Sequence, residues 1–317
     1  MAEPNVPPAA ATTPAGFRKE LHPKLVDPET APRPRIKELE VMVAEVIRET
    51  PDTSTLVLFT GNDRLEYQPG HFLTIRPQQF KSLDRFCKYF EDLKGRKEPA
   101  RAYSLVSAPH ERHLAVTVKE ERYVSGLTKY PPLLSPLLVW RTVPGTRMVV
   151  TGFGGPYVLP PDIESRTDHI VHICAGSGSV PNVSILKHCL AQEMKIRHTV
   201  IYGNKTWEDI IFRSQLEDLC RQHSEKVRVV HALSREPSLT ATENVRQGRV
   251  SEALIREHIP DPTAVEVFAC GPGITKFDRV AAREKGEEPQ PRFLESVLDA
   301  LEAIGVPDER IHHESYG

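Results

Sequence analysis

The pattern of apolar and polar positions changes rhythm twice along this chain. Residues 1–37 hold eight prolines and few apolar side chains, a composition that cannot build a packed element and predicts an extended arm. From residue 38, short β-branched runs follow one another: VMVAEVI, TLVLFT, HFLTIRP, YSLVS, LAVTVKE and RMVVTGF. Turn chemistry such as Thr50-Pro51-Asp52 and Gln68-Pro69-Gly70 separates them. Strands at this spacing, without long helices between them, predict an antiparallel β-barrel or sandwich over 38–164. Two segments interrupt it. In QQFKSLDRFCKYFEDLKG, Phe80, Leu83, Phe86, Phe90 and Leu93 step by three or four and predict a helix capped by Gly95. YVSGLTKYPPLLSPLLVW reads as a turn, a short helix and a loop.

After Pro160-Pro161 strands and helices alternate. HIVHICA, HTVIYGN, VRVVHALS and VEVFACG read as strands; PNVSILKHCLAQEM, WEDIIFRSQLEDLCRQH, VSEALIREHI and FLESVLDALEAIG read as helices. This alternation specifies a parallel sheet covered on both faces, an α/β domain over 165–317.

Composition narrows the class. A chain of 317 residues folds as about two domains. The formal net charge of −2, with 39% apolar and 7% aromatic residues, is globular and argues against a general nucleic-acid binder. No apolar run reaches the roughly 18–20 residues of a membrane span. The first residues lack a basic leader, so no secretory signal and a cytoplasmic location are expected. Five cysteines, at 87, 174, 189, 220 and 270, lie far apart with no CxxC pair, which predicts free thiols and neither a zinc site nor an iron–sulfur cluster. His169 and His172 are three apart on a strand and face opposite ways, so no shared metal is expected, and His312–His313 read as a solvated chain end.

Four motifs carry candidate chemistry. In AGSGSVPNVSI, Gly176-Ser177-Gly178 permits a tight turn and Pro181 suits a first helical turn, so the helix start could cradle a pyrophosphate. Cys270-Gly271-Pro272-Gly273 ends a strand, at the edge where open α/β sheets bind ligands. Ser234-Arg235 could take the 2′-phosphate of an NADP-type cofactor, and the neighbouring strand ends at Asn204 with no acid to claim a free ribose hydroxyl. On one strand, Arg101 and Tyr103 could hold a phosphate and cover a flat ring, while Ser104 reaches a ring nitrogen. Taken singly, each reads equally as a glycine-rich turn, a core cysteine, surface polarity or a half-buried strand.

Together, in the order HFLTIRP, RAYSLVSAP, VTVKEERYVSGLT, GFGGPYVLP, AGSGSVPNVSI, SRE, CGPG and HHESYG, the motifs resemble the ferredoxin–NADP⁺ reductase superfamily, especially the reductase components of bacterial oxygenases. The resemblance covers about 38–317. It implies a flavin-binding antiparallel β-barrel (38–164) followed by an NAD(P)-binding α/β domain (165–317), with FAD and NADPH, or NADH, as cofactors. Arg101, Tyr103 and Ser104 match the element that binds the flavin phosphate, packs on its ring and lies near its N5. Thr117, Val118, Lys119, Ser125, Gly126, Leu127 and Thr128 match the stretches around the ribityl chain and pyrophosphate. Gly176, Ser177, Gly178 and Pro181 match the pyridine-nucleotide loop, and Cys270, with Gly271 and Pro272, the cysteine beside the nicotinamide. Glu314 and Tyr316 match the closing element that returns to the flavin edge. The sequence departs from the pattern at His71, at Val180 and at Gly248-Arg249-Val250, where some NADPH-specific members carry a tyrosine.

The implied activity is hydride uptake from NAD(P)H and single-electron delivery, with Ser104, Cys270 and Glu314 at the reacting centre. Without a cysteine run for a built-in cluster, a separate ferredoxin or oxygenase component is the expected acceptor. Lys81, Arg85, Lys88, Lys94, Arg96 and Lys97 on the inserted helix could mark its docking face or simply a solvated one. The rival readings are a reductase of free flavin or quinone, and a non-catalytic electron-relay or nucleotide-sensing subunit.

Overall fold

The computed structural model describes residues 38–61, 65–125 and 130–316. Its first half runs β1 (Glu38–Thr50), β2 (Thr53–Phe59), β3 (Phe72–Ile75), α1 (Asp84–Lys94), β4 (Arg101–Ser104), β5 (Leu114–Lys119), α2 (Ser135–Trp140) and β6 (Arg147–Gly154). The six strands pair antiparallel in the order β4-β3-β6-β1-β2-β5. Strand alternation turns Val41 and Val43, Leu56 and Leu58, Leu73 and Ile75, Val116 and Val118, and Met148 and Val150 into one core. The two edges meet through a Leu105–Val116 bridge, and Val106 N donates to Ala115 O at 2.9 Å, closing the sheet as a barrel.

The inserted helix forms, and Gly95 ends it at φ 64°. Its buried face keeps Phe80, Leu83 and Phe90 of the predicted stripe, gains Cys87 and loses Phe86 and Leu93. Leu83, Cys87 and Phe90 are buried, whereas Phe86, Tyr89 and Leu93 are exposed. Two short 3₁₀ turns, Pro77–Gln79 and Lys81–Leu83, precede α1. The buried positions, Leu83, Cys87 and Phe90, are spaced i, i+4 and i+7, so one continuous stripe faces inward and Phe86 and Leu93 fall on its flank.

The second half runs α3 (Ile163–Arg166), β7 (His169–Ala175), α4 (Ser179–Ala191), β8 (Arg197–Asn204), α5 (Arg213–Gln222), β9 (Val227–Leu233), β10 (Val245–Gln247), α6 (Glu252–His258), β11 (Glu266–Pro272), α7 (Lys276–Lys285), α8 (Phe293–Ile304) and β12 (Ile311–Tyr316). All six strands are parallel, in the order β10-β9-β8-β7-β11-β12. Val171 and Ile173 face α6 and α8; Cys174 and its even-numbered neighbours face α4 and α5. A sheet covered on both sides explains why HIVHICA is apolar without alternation.

Three readings change. WEDIIFRSQLEDLCRQH is not one helix: a turn at Trp207–Asp209 is separated from α5 by buried Ile210, Ile211 and Phe212, the last at φ 61°. The chain end is a strand, not a solvated tail. His312 bonds the buried Glu266 carboxylate at 2.8 Å and stacks on Phe268 at 4.5 Å. The motif reading also passed over β10 and α7. Among the described residues, no helix is long and apolar enough to cross a membrane.

Candidate functional site

Parallel pairing brings three carboxyl strand ends into line. Cys270 on β11 stands in register with Cys174 on β7 and Glu314 on β12. The turn Gly176–Gly178 lies directly on this edge: a Cβ at Gly178 would fall 2.2 Å from Cys270 O, so only glycine fits. A Cβ at Gly271 would strike the Phe293 ring at 2.5 Å. Beyond it, Glu295 Oε1 accepts from Ile274 N at 2.8 Å and Arg292 donates to Gly273 O at 3.2 Å, which pins the Gly-Pro-Gly loop. Tyr202 OH donates to Gly176 O at 2.9 Å, and Ser179 Oγ donates to the same oxygen at 3.0 Å, supporting the turn from below.

The barrel reaches the same edge. Ser104, paired with Phe72 at the end of β4, is buried, and its Oγ lies 3.4 Å from Glu314 Oε2. Tyr316 OH donates to Ser104 Oγ. Burial raises the Glu314 carboxyl to about 7, even though the Ser104 bond pulls it down. Burial, then the Glu314 charge, pushes the Cys270 thiol well above its usual range, so it is a neutral thiol rather than a thiolate. The Tyr316 phenol is raised in the same way, first by burial. One edge therefore gathers a hydroxyl, a phenol, a neutral thiol and a carboxyl poised to hold a proton near neutrality.

Ser104, Gly178, Cys270, Glu314 and Tyr316 thus come together, from segments up to 212 residues apart. Ser177 is half-buried beside them, and Pro181 lies in the first turn of α4. Ser234 donates from N (3.0 Å) and Oγ (3.3 Å) to Asn204 O, two strands away from Cys270's neighbour β7, while Arg235 is exposed. Arg101 is half-buried and held by Glu98 at 2.9 Å and Pro99 O at 2.8 Å. Burial pushes the Glu98 carboxyl up, but hydrogen bonds from Lys94 and Arg101 outweigh it and keep the group ionised. Tyr103 is half-buried opposite Leu73. Thr117 bonds Thr55 at 2.8 Å, Val118 faces the barrel core, and Lys119 pairs with Asp52 at 2.8 Å, so these three bond and pack within the barrel. Ser125 is exposed, and Gly126, Leu127 and Thr128 lie outside the described residues.

Two residues escaped sequence reasoning. Tyr157 and Asn182 are buried and bonded to each other at 2.9 Å beneath the Gly178 turn. Both stand inside quoted motifs, but nothing local marks them as partners.

Residues 172–278 match the family of oxidoreductase NAD-binding domains. The chain is 31% identical over 285 residues to the ferredoxin reductase component of 3-ketosteroid-9-alpha-monooxygenase from Mycolicibacterium smegmatis, a match covering 88% of this chain and 65% of that protein. It therefore spans just under two thirds of that relative's length. The fold matches the flavohem-like FAD/NAD-binding domain of nitric oxide dioxygenase from Vibrio cholerae (TM-score 0.64, 23% identity, 89% of this chain and 99% of that one). It also matches ferredoxin–NADP⁺ reductase from Plasmodium falciparum (TM-score 0.62, 18% identity, 88% and 96%).

Proposed function

We propose that this chain, whose fold matches that of ferredoxin–NADP⁺ reductase and whose residues 172–278 match the oxidoreductase NAD-binding family, is an FAD-dependent NAD(P)H reductase of that superfamily serving a separate electron acceptor. The observation that carries the reading is the meeting of Ser104, from the barrel, with Glu314 and Tyr316 at the Cys270 strand end. The boundary between the halves falls near Pro160.

The residues present fit both cofactors. The glycine turn that tolerates no Cβ at Gly178, opening onto the start of α4, suits the close backbone approach of a pyridine-nucleotide pyrophosphate. Gly176–Gly178 and Pro181 would hold it, with Asn204, Ser234 and Arg235 at the adenosine end and Cys270–Pro272 at the nicotinamide. Arg101, Tyr103 and Ser104 would hold FAD; Thr117–Lys119, whose side chains are engaged within the barrel, could offer it backbone groups alone. Arg101 spends two donors on Glu98 and Pro99 and keeps the rest for a phosphate.

Bound flavin would supply the conversion of a two-electron hydride donor into single electrons. The protein's part is orientation, exclusion of water and control of one proton. Cys270 is neutral and wholly buried in a cluster on which Tyr316 packs, so a ring could lie against it only after the covering side chains move aside. Ser104 places a hydroxyl between barrel and sheet, and Tyr316 covers it from the chain end. Glu314, raised to about 7, holds a proton at its carboxyl within reach of the Ser104 hydroxyl.

The acceptor is a ferredoxin or an oxygenase component, as the name of the mycobacterial relative suggests, and the protein works in the cytoplasm. The purified chain is expected to be yellow once supplied with FAD and to bleach anaerobically with NADPH or NADH. Reoxidation by a ferredoxin should outpace that by free FMN; the reverse order would favour a free-flavin reductase. A preparation that takes up no FAD would overturn the proposal.

A further inference from the structure

Asn182 is 2% exposed, and each of its amide atoms is engaged. Its Nδ2 donates to Gly178 O at 3.0 Å. A carbonyl oxygen only accepts, so this bond sets the amide's orientation. Oδ1 must then face the other two partners, Tyr157 OH at 2.9 Å and His172 Nδ1 at 3.0 Å, and both must donate to it. His172 consequently carries its proton on Nδ1 and accepts at Nε2 from His198 Nδ1, 3.1 Å away. Burial lowers the His172 imidazole to about 4 and that of His198 well below its usual range, so both rings are neutral. The result is one directional chain, His198 to His172 to Asn182 to Gly178, joined by Tyr157 at Asn182.

Tyr157 also touches the barrel. A Cβ on Gly70 would lie 2.1 Å from Tyr157 O, and Gly70 leads into β3, the strand whose Phe72 pairs with Ser104. The Tyr157 ring stands edge-on to Phe268, 5.5 Å away on Cys270's own strand. This single residue thus contacts the approach to the Ser104 strand through its backbone. Through its hydroxyl it contacts the helix under the nucleotide turn.

We propose that Tyr157 and Asn182 are positioning residues that lock the Gly178 turn to the barrel, so that a nicotinamide ring laid against Cys270 stands at a set depth from Ser104. Neither side chain touches the reacting atoms; both act through the backbone they hold. The inference rests on the reductase reading for its nicotinamide, but the brace itself can be measured without it.

The test uses the full FAD-supplied chain and two variants, with NADP⁺ and NAD⁺ as binding probes. Asn182→Asp keeps acceptors for Tyr157 and His172 but sets a carboxylate oxygen against Gly178 O. Amide hydrogen exchange over residues 176–180 should quicken about tenfold and nucleotide affinity fall about tenfold, the scale of one lost buried hydrogen bond, with exchange in the barrel strands unchanged. Tyr157→Phe removes only the link to the barrel. Nucleotide affinity should stay within twofold while the rate of anaerobic reduction falls about tenfold. Nitrogen NMR should find His172 protonated on Nδ1. Unchanged exchange at 176–180 in Asn182→Asp, a wild-type reduction rate in Tyr157→Phe, or a His172 proton on Nε2 would each overturn the proposal. Wild-type protein that no nicotinamide nucleotide reduces would instead refute the reductase reading, and the exchange and tautomer results would still decide the brace.

Discussion

At Glu314 the carboxyl is desolvated between Cys270, in register on β11, and Ser104 of the barrel, and it titrates at about 7 rather than the ordinary 4.5. The folded chain therefore holds this proton more tightly than the unfolded chain. Between about pH 4.5 and 7 the folded state binds more protons, so stability falls as pH rises through that window. Glu314→Gln keeps a neutral partner for Ser104 and removes the ionisation. Its melting temperature should match wild type near pH 5 and exceed it at pH 8, and melting curves across that range decide the matter. The same scale governs nucleotide choice. Arg235 is exposed and the Ser234 hydroxyl bonds Asn204 O at the sheet's carboxyl edge, so a Ser234/Arg235 double alanine should cost little stability. It should raise the KM for NADPH about tenfold, the worth of a lost charged hydrogen bond, and leave that for NADH nearly unchanged. Parallel titrations with both nucleotides, in which the two losses came out equal, would remove the 2′-phosphate assignment. Ser104, Cys270 and Glu314 were legible as candidates because each stands in a compact motif, and the structure brings the three together. Asn182 and Tyr157 were not, because a hydrogen-bond partner 25 residues away leaves no local trace.

Among the elements, the strand–turn–helix unit β7–Gly176–Gly178–α4 is tightly constrained at Gly178. Gly178→Ala would drive a methyl into the Cys270 backbone, with no flexible side chain to yield. Overpacking of this kind costs about 1–3 kcal/mol. The variant should melt lower and bind NAD(P)⁺ at least tenfold more weakly, whereas Gly176→Ala, whose Cβ meets nothing within 4 Å, pays only for its φ of 52°. Isothermal titration of the two variants separates close approach from backbone strain. Element type was legible where apolar periodicity ran unbroken, as in α8, or where a short apolar run was bounded by turn residues, as in β7. It failed where winding changed mid-run. Phe212, in the left-handed region, splits the predicted helix ahead of α5. There tertiary burial overrides local propensity, since Ile210, Ile211 and Phe212 fill the core beside α5.

For the whole molecule, the barrel and the α/β half share polar contacts as well as a site. Ser184 donates to Ser107 O at 2.7 Å and Lys187 pairs with Glu111 across the same boundary. On the reading proposed above an acceptor protein would dock by charge, and the segment around α1 presents cations beside apolar side chains. Lys94 is turned inward to Glu98 and Lys88 pairs with Asp84, which leaves Lys81, Arg85, Arg96 and Lys97 exposed alongside Phe86, Tyr89 and Leu93. Glutamate at Arg85, Arg96 and Lys97 should raise the KM for a ferredoxin about tenfold at low salt and flatten its salt dependence, with ferricyanide reduction unaffected. Unaltered ferredoxin kinetics would return α1 to the role of a covering helix. What the amino-acid sequence determined by itself is local. Turn glycines, strand alternation and the switch to strand–helix alternation follow from backbone sterics and from partition of side chains out of water, both of which act over a few residues. Tertiary structure alone decided which strand ends coincide. Ser104 and Glu314 lie 210 residues apart, and only barrel closure together with a parallel register brings their side chains within 3.4 Å. There desolvation, a property of the assembled edge and of no single segment, turns an ordinary carboxylate into a group that holds a proton at neutral pH.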